Sequence, residues 1–102
     1  MPSVPQFRKI ALSYKDVTEK PCYGTPGFYS KRKLFARILE DNQSVVLRIS
    51  FEDRERRIKT DPAVFYVTDH YLKHPMMVVN LKKVSSMDLQ ELVHDAIEIA
   101  KS

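Results

Sequence analysis

Glycine, cysteine and tryptophan are scarce in this 102-residue sequence: it has two glycines, one cysteine and no tryptophan. With so little glycine, the turns must be made mainly by Pro, Asp, Asn and Ser. The lone Cys22 excludes an internal disulfide and a thiolate metal cluster, and it fits a reducing, cytoplasmic compartment. No apolar run approaches the ~20 residues needed to span a bilayer, so no membrane partner is expected. The longest runs, 64–67 and 76–79, are the size of strands. The opening Met1-Pro2-Ser3-Val4-Pro5 has no basic stretch followed by an apolar one, and no secretory leader is expected from it.

What remains is an ordinary globular composition. Hydrophobic residues make up 43% and charged residues 29%, far from the depleted profile of a disordered chain. No repeat, low-complexity tract or linker divides the chain, so residues 1–102 read as a single domain. A chain of this length buries roughly two thirds of its unfolded surface, enough for one core. The net charge is +4 and uneven. Residues 1–86 carry 16 Lys and Arg against 9 Asp and Glu, a net +7; residues 87–102 carry one against four, a net −3. A basic body with an acidic final segment points to an anionic partner on one face.

Periodicity places the elements. Phe7, Ile10 and Ala11 stand at helical spacing within residues 5–12. Residues 13–24 read as loop. Residues 28–30 and 33–40 read as two strands joined by a Lys31-Arg32 turn, and residues 44–50 as a third strand. Alternation puts Leu34, Ala36 and Ile38 on one face and Phe35, Arg37 and Leu39 on the other. Matching the apolar faces of the second and third strands closes their hairpin around Asn42-Gln43 and sets Arg37 opposite Arg48. Residues 52–60 read as a charged helix, Asp61-Pro62 as a helix start, residues 68–74 as one helical turn and residues 76–81 as a strand. In the last segment Ser85 can cap a helix, with Asp88 in the capping-box position. Leu89, Leu92, Val93, Ala96, Ile97 and Ala100 then form one apolar stripe that must pack on a sheet.

Candidate chemistry is sparse. Cys22 and His70 form no recognisable nucleophile–base motif. His70, His74 and His94 lack the spacing of a metal site, and Gly24 and Gly27 do not form a phosphate-cradling loop. The expected protein is therefore a non-enzyme without metal or cofactor. Two residue sets stand out. Tyr23, Thr25, His70 and Tyr71 could line a pocket. A basic set, Lys31, Arg32 and Lys33 at a hairpin tip, Arg37 and Arg48 on the sheet, and Arg54 and Arg57 on the next helix, could bind nucleic acid, although Glu40, Glu52, Asp53 and Glu55 offset much of its charge.

Three blocks resemble the MmcQ/YjbR-like family: residues 17–29 (VTEKPCYGTPGFY), residues 33–37 (KLFAR), and residues 65–71 (FYVTDHY) followed by Pro75 and an apolar strand. The resemblance covers about residues 7–101, and the three blocks occur in the family's order. The resemblance implies a two-layer α+β domain, with an antiparallel sheet of about five strands and helices packed on one face. It also implies DNA binding through a double-wing arrangement of hairpins. The implied fold is similar to that of bacterial secretion chaperones, which bind proteins and often form homodimers. Two departures stand out: Lys31-Arg32 replaces a glycine-containing turn, and the first helix is short. DNA or another polyanion is the expected partner, with a chaperone-like adaptor that uses the same sheet as the rival.

Overall fold

Short apolar segments separated by tight turns make hairpins of the middle of the chain, and capped amphipathic stripes make helices of its two ends. The computed structural model describes residues 2–102. In chain order the elements are α1 (Val4–Leu12), β1 (Val17–Cys22), β2 (Thr25–Ser30), β3 (Lys33–Ile38) and β4 (Ser44–Arg48), then α2 (Phe51–Thr60), β5 (Phe65–Tyr66), a 3₁₀ turn (Asp69–Tyr71), β6 (Met76–Asn80) and α3 (Ser86–Lys101). The six strands form one antiparallel sheet in the order β1-β2-β3-β4-β6-β5.

The last helix forms as its sequence demands. The Asp88 amide donates to the Ser85 hydroxyl at 3.1 Å, and all six stripe residues from Leu89 to Ala100 are buried. They pack on the sheet face that carries the row Phe28, Ala36, Leu47 and Met77, each fully buried. Helix α1 joins this layer through Val4, Phe7 and Ala11, with the Phe7 ring edge-on to Phe28 at 5.1 Å between centroids. The helices thus cover one face of the sheet, as the resemblance implies.

Three expectations are corrected. Residues 17–22 form the edge strand β1 rather than loop, which raises the sheet to six strands. This strand has almost no apolar alternation, because it is exposed along most of its length. Its pairing is set instead by the two-residue turn Tyr23-Gly24, where φ is +52° and +80°. Two successive positive φ values match the twist of an antiparallel hairpin. Asp61 ends α2 rather than starting a helix: its amide bonds the Arg57 carbonyl, and its own carbonyl accepts from Val64 and Phe65.

The third correction concerns β3. Leu34 pairs with Tyr29 and Ala36 with Phe28, so Phe35 is an extra residue, a β-bulge. The bulge reverses the alternation upstream of it and sends Phe35 into the core with Ala36 and Ile38. The β3–β4 register also lies two residues from the expected one, with Arg37 opposite Val46 rather than Arg48. The cause is the turn. The Asp41 carboxylate accepts from the Gln43 and Ser44 amides, and Asn42 adopts a φ of +55°. The reversal is thereby centred on Asp41-Asn42, and β4 moves along β3.

Candidate functional site

The sheet face opposite α1 and α3 carries the other residues of the pleat. One row crosses all six strands: Lys20, Gly27, Arg37, Val46, Val78 and Tyr66. Gly27 is needed there, since a Cβ would stand 2.7 Å from that of Cys22 and 3.2 Å from Leu34 Cδ1. Val46, Val78 and Met76 form a small apolar cluster with Leu39 and Tyr71. Tyr71 reaches this cluster because the segment from the 3₁₀ turn to Pro75 folds over part of the face.

Arg54 holds that segment in place. It is 8% exposed, stacks 4.8 Å from the Phe51 ring centroid, and donates to the carbonyls of Leu72, His74 and Met76 at 2.8–3.1 Å. A helix residue with both terminal guanidinium nitrogens bonded to backbone carbonyls is a clamp, and its charge is removed from the surface.

Arg37 lies at the centre of the face and is only 7% exposed. Its Nε and Nη2 donate to the Tyr71 hydroxyl at 3.2 and 2.9 Å, and its Nη1 donates to Thr25 Oγ1 at 2.7 Å. The Tyr23 ring centroid lies 5.9 Å from the guanidinium carbon, and the His70 ring is edge-on to Tyr71 at 4.6 Å. The four residues marked as a pocket in the sequence are therefore gathered around a guanidinium from the basic set. A carboxylate approaches only at the rim, where Glu40 lies 3.5 Å from Nη1 on a side chain 71% exposed. Burial disfavours the Arg37 charge, but the hydrogen bonds to Tyr71 and the nearby Glu40 outweigh it and hold the group above its ordinary range. Buried charges normally carry a close counter-ion; here neutral hydroxyls take most of that place.

The tyrosines complete the surface. Tyr23 is 87% exposed at a positive-φ position, where a bulky side chain is rare and worth explaining. Tyr29 is half-buried, with Lys20 Nζ 5.9 Å from its ring centroid, and burial pushes its phenol above the ordinary range. Together with Tyr66 and Tyr71, these make four of the chain's five tyrosines.

The basic set itself is divided among several places. Lys31 and Arg32 are exposed at the β2–β3 turn beside the end of α3, and Lys33 Nζ donates to the Ser102 carbonyl at 3.0 Å. Cations there complement the negative end of the helix dipole. Arg48 Nε donates to the Leu34 carbonyl, beside the bulge. Arg57 lies between α2 and α3, 3.7 Å from Asp88 and 3.4 Å from Glu91. Among the described residues, no group of three or more His, Cys, Asp or Glu is placed to share a metal ion, and no helix is long and apolar enough to cross a membrane.

Sequence reasoning did not single out Lys20 as a site residue. Lys20 lies in the first family block and Tyr66 in the third, and only the strand order brings them into one row. A two-layer α+β domain whose second sheet face is tyrosine-rich and covered only in part, by the segment around Tyr71, is the class these features define. The chain belongs to the YjbR family, whose model matches residues 12–98. Its structure is similar to the crystal structure of Deinococcus radiodurans protein DR2400, described as a DUF419 domain. That match covers all of this chain and 80% of the other, with a TM-score of 0.86 and 21% identity, which establishes the fold. No curated protein matches the sequence.

Proposed function

We propose that this protein is a non-enzymatic, cytoplasmic nucleic-acid-binding module, with DNA as its ligand, and that the helix-free sheet face is the interface. The observation that carries this reading is the composition of that face: Lys20 and Arg37 stand in one row with Tyr66, flanked by Tyr23, Tyr29 and Tyr71. Aromatic rings interleaved with cations suit single-stranded nucleic acid, whose bases stack on the rings while its phosphates meet the cations. The central group also favours binding over catalysis, because a guanidinium neither gives up nor takes a proton near neutral pH. Lys31 and Arg32 lie instead at the hairpin end beside the C-terminus of α3 and are not part of this face.

An adaptor would instead expose one contiguous apolar patch. Apart from Tyr23 and Tyr66, the exposed large hydrophobic residues, Leu12, Phe51, Leu72, Met87 and Ile99, are spread over three helices and a loop. Fluorescence anisotropy with labelled single-stranded and duplex DNA at several salt concentrations tests the proposal. The expected result is affinity that falls steeply with salt and favours the single strand, with Lys20→Ala lowering the log–log slope by about one. Absence of binding to either DNA at low salt would overturn it.

A further inference from the structure

The donors around Arg37 are not all used. A guanidinium has five N–H groups. Two go to Tyr71 and one to Thr25, leaving one on Nη1 and one on Nη2. Tyr71 Oη accepts two hydrogen bonds, and among the described residues its own proton has no acceptor. Thr25 is fully used, since its hydroxyl donates to the Cys22 carbonyl at 3.1 Å. Three donors thus remain at one buried cationic centre: two on a planar fork and one on a neighbouring phenol. The free hydrogens on the two terminal nitrogens can meet oxygens of a phosphate, and the phenol can serve a third.

Glu40 stands at the approach to this centre. Its carboxylate is 3.5 Å from Nη1, beyond ordinary hydrogen-bonding distance, on a largely exposed side chain. With one partner largely in solvent, this ion pair is weak, and the carboxylate exchanges readily with water.

We propose that Arg37, Tyr71 and Thr25 form a phosphate-binding cradle on the sheet face, with Glu40 as its internal competitor. A bound phosphate takes the two free guanidinium hydrogens and the Tyr71 hydroxyl proton, and it displaces the Glu40 carboxylate toward water. Tyr23 closes the exposed side of the guanidinium with its ring. The cradle's chemistry is independent of the nucleic-acid reading. Only the identification of the phosphate as part of a DNA backbone rests on that reading.

The test follows the Arg37 Nε–H resonance of arginine-labelled protein during titration with inorganic phosphate at constant ionic strength, with acetate as the control anion. A saturable shift with phosphate, well beyond that with acetate, is expected. Glu40→Gln should tighten phosphate binding about two- to five-fold, whereas Glu98→Gln, the same charge change on α3, should leave it unaltered. Tyr71→Phe should weaken it about ten-fold. A phosphate shift no larger than the acetate shift would overturn the cradle, as would equal affinities for Glu40→Gln and wild type. Because Glu40 is exposed, that variant keeps the test decisive even if Tyr71→Phe fails to fold. A labelled oligothymidylate separates the two proposals. If phosphate binds with the Glu40 dependence but the oligonucleotide does not, the cradle stands and the DNA reading falls. If the oligonucleotide binds and phosphate does not, the cradle falls alone.

Discussion

The Tyr71 hydroxyl accepts two hydrogen bonds from the one guanidinium of Arg37, at 2.9 and 3.2 Å. The two residues are 34 positions apart, and their contact joins the segment between the 3₁₀ turn and Pro75 to the centre of the sheet. Replacing the phenol by a phenyl ring leaves two buried, charged donors without their acceptor. Tyr71→Phe should therefore cost about 1–3 kcal/mol, measured by urea unfolding. A midpoint equal to wild type would mean that water replaces the hydroxyl at this position.

Arg54 supports the same segment from the other side. Removing it frees the carbonyls of Leu72, His74 and Met76 and leaves the 71–76 segment tethered mainly by Tyr71. Arg54→Met keeps the length and apolar bulk of the side chain but loses these bonds. A loss of about 1.5–3 kcal/mol is expected, with faster amide exchange concentrated in residues 71–76. Uniform exchange rates across the chain would refute the clamp.

Gly27 should tolerate no side chain. Its hypothetical Cβ would meet Cys22 Cβ at 2.7 Å and the Lys20 carbonyl oxygen at 3.3 Å, both on the paired strand. Gly27→Ala should destabilise the β1–β2 hairpin by about 1–3 kcal/mol through overpacking. Cys22→Gly in the same chain should recover part of that loss, because it removes the atom in closest contact. Additive losses in the double variant would show that the strain lies elsewhere.

Asp41 gives the fold a defined acid response. Burial pushes its carboxyl upward, but the Gln43 and Ser44 donors outweigh burial and hold it below the ordinary range. A carboxylate whose folded pKa is depressed contributes stability above its unfolded value of about 3.9. That contribution falls away as pH drops from about 5 through 3.9 and then through the lower folded value. Asp41→Asn should be less stable at neutral pH and show a flatter decline in stability across this acidic window, followed by circular dichroism. Parallel acid limbs for variant and wild type would remove Asp41 from the account.

Much of the architecture was readable in the linear sequence because its causes are local. The α3 stripe, the Ser85 cap and the β-branched run of β4 each act within one or two turns of chain, and they predict the helix–sheet packing that is found. The family blocks likewise predict the two-layer fold. The edge strand β1 was not legible, since an exposed strand needs no apolar alternation and its pairing depends on the Tyr23-Gly24 turn.

The candidate site was partly legible as a list of residue types. Tyr23, Thr25, His70 and Tyr71 were marked together, and so was Arg37, but as members of two unrelated sets. Only the tertiary structure decided that Arg37 is the centre of the first set and that Arg54, from the second, is a buried clamp. The physical reason is that register and bulge position are set by cross-strand packing and turn hydrogen bonds, which act between distant residues. One extra residue at Phe35 reverses the pleat, and one Asp41-centred turn shifts β4 by two residues. The turn alone changes which side chain faces Arg37 from Arg48 to Val46. Composition determined that the chain would be a small, basic domain with a single core. The long-range pairing alone determined which of its cations lie together on the sheet face opposite α1 and α3.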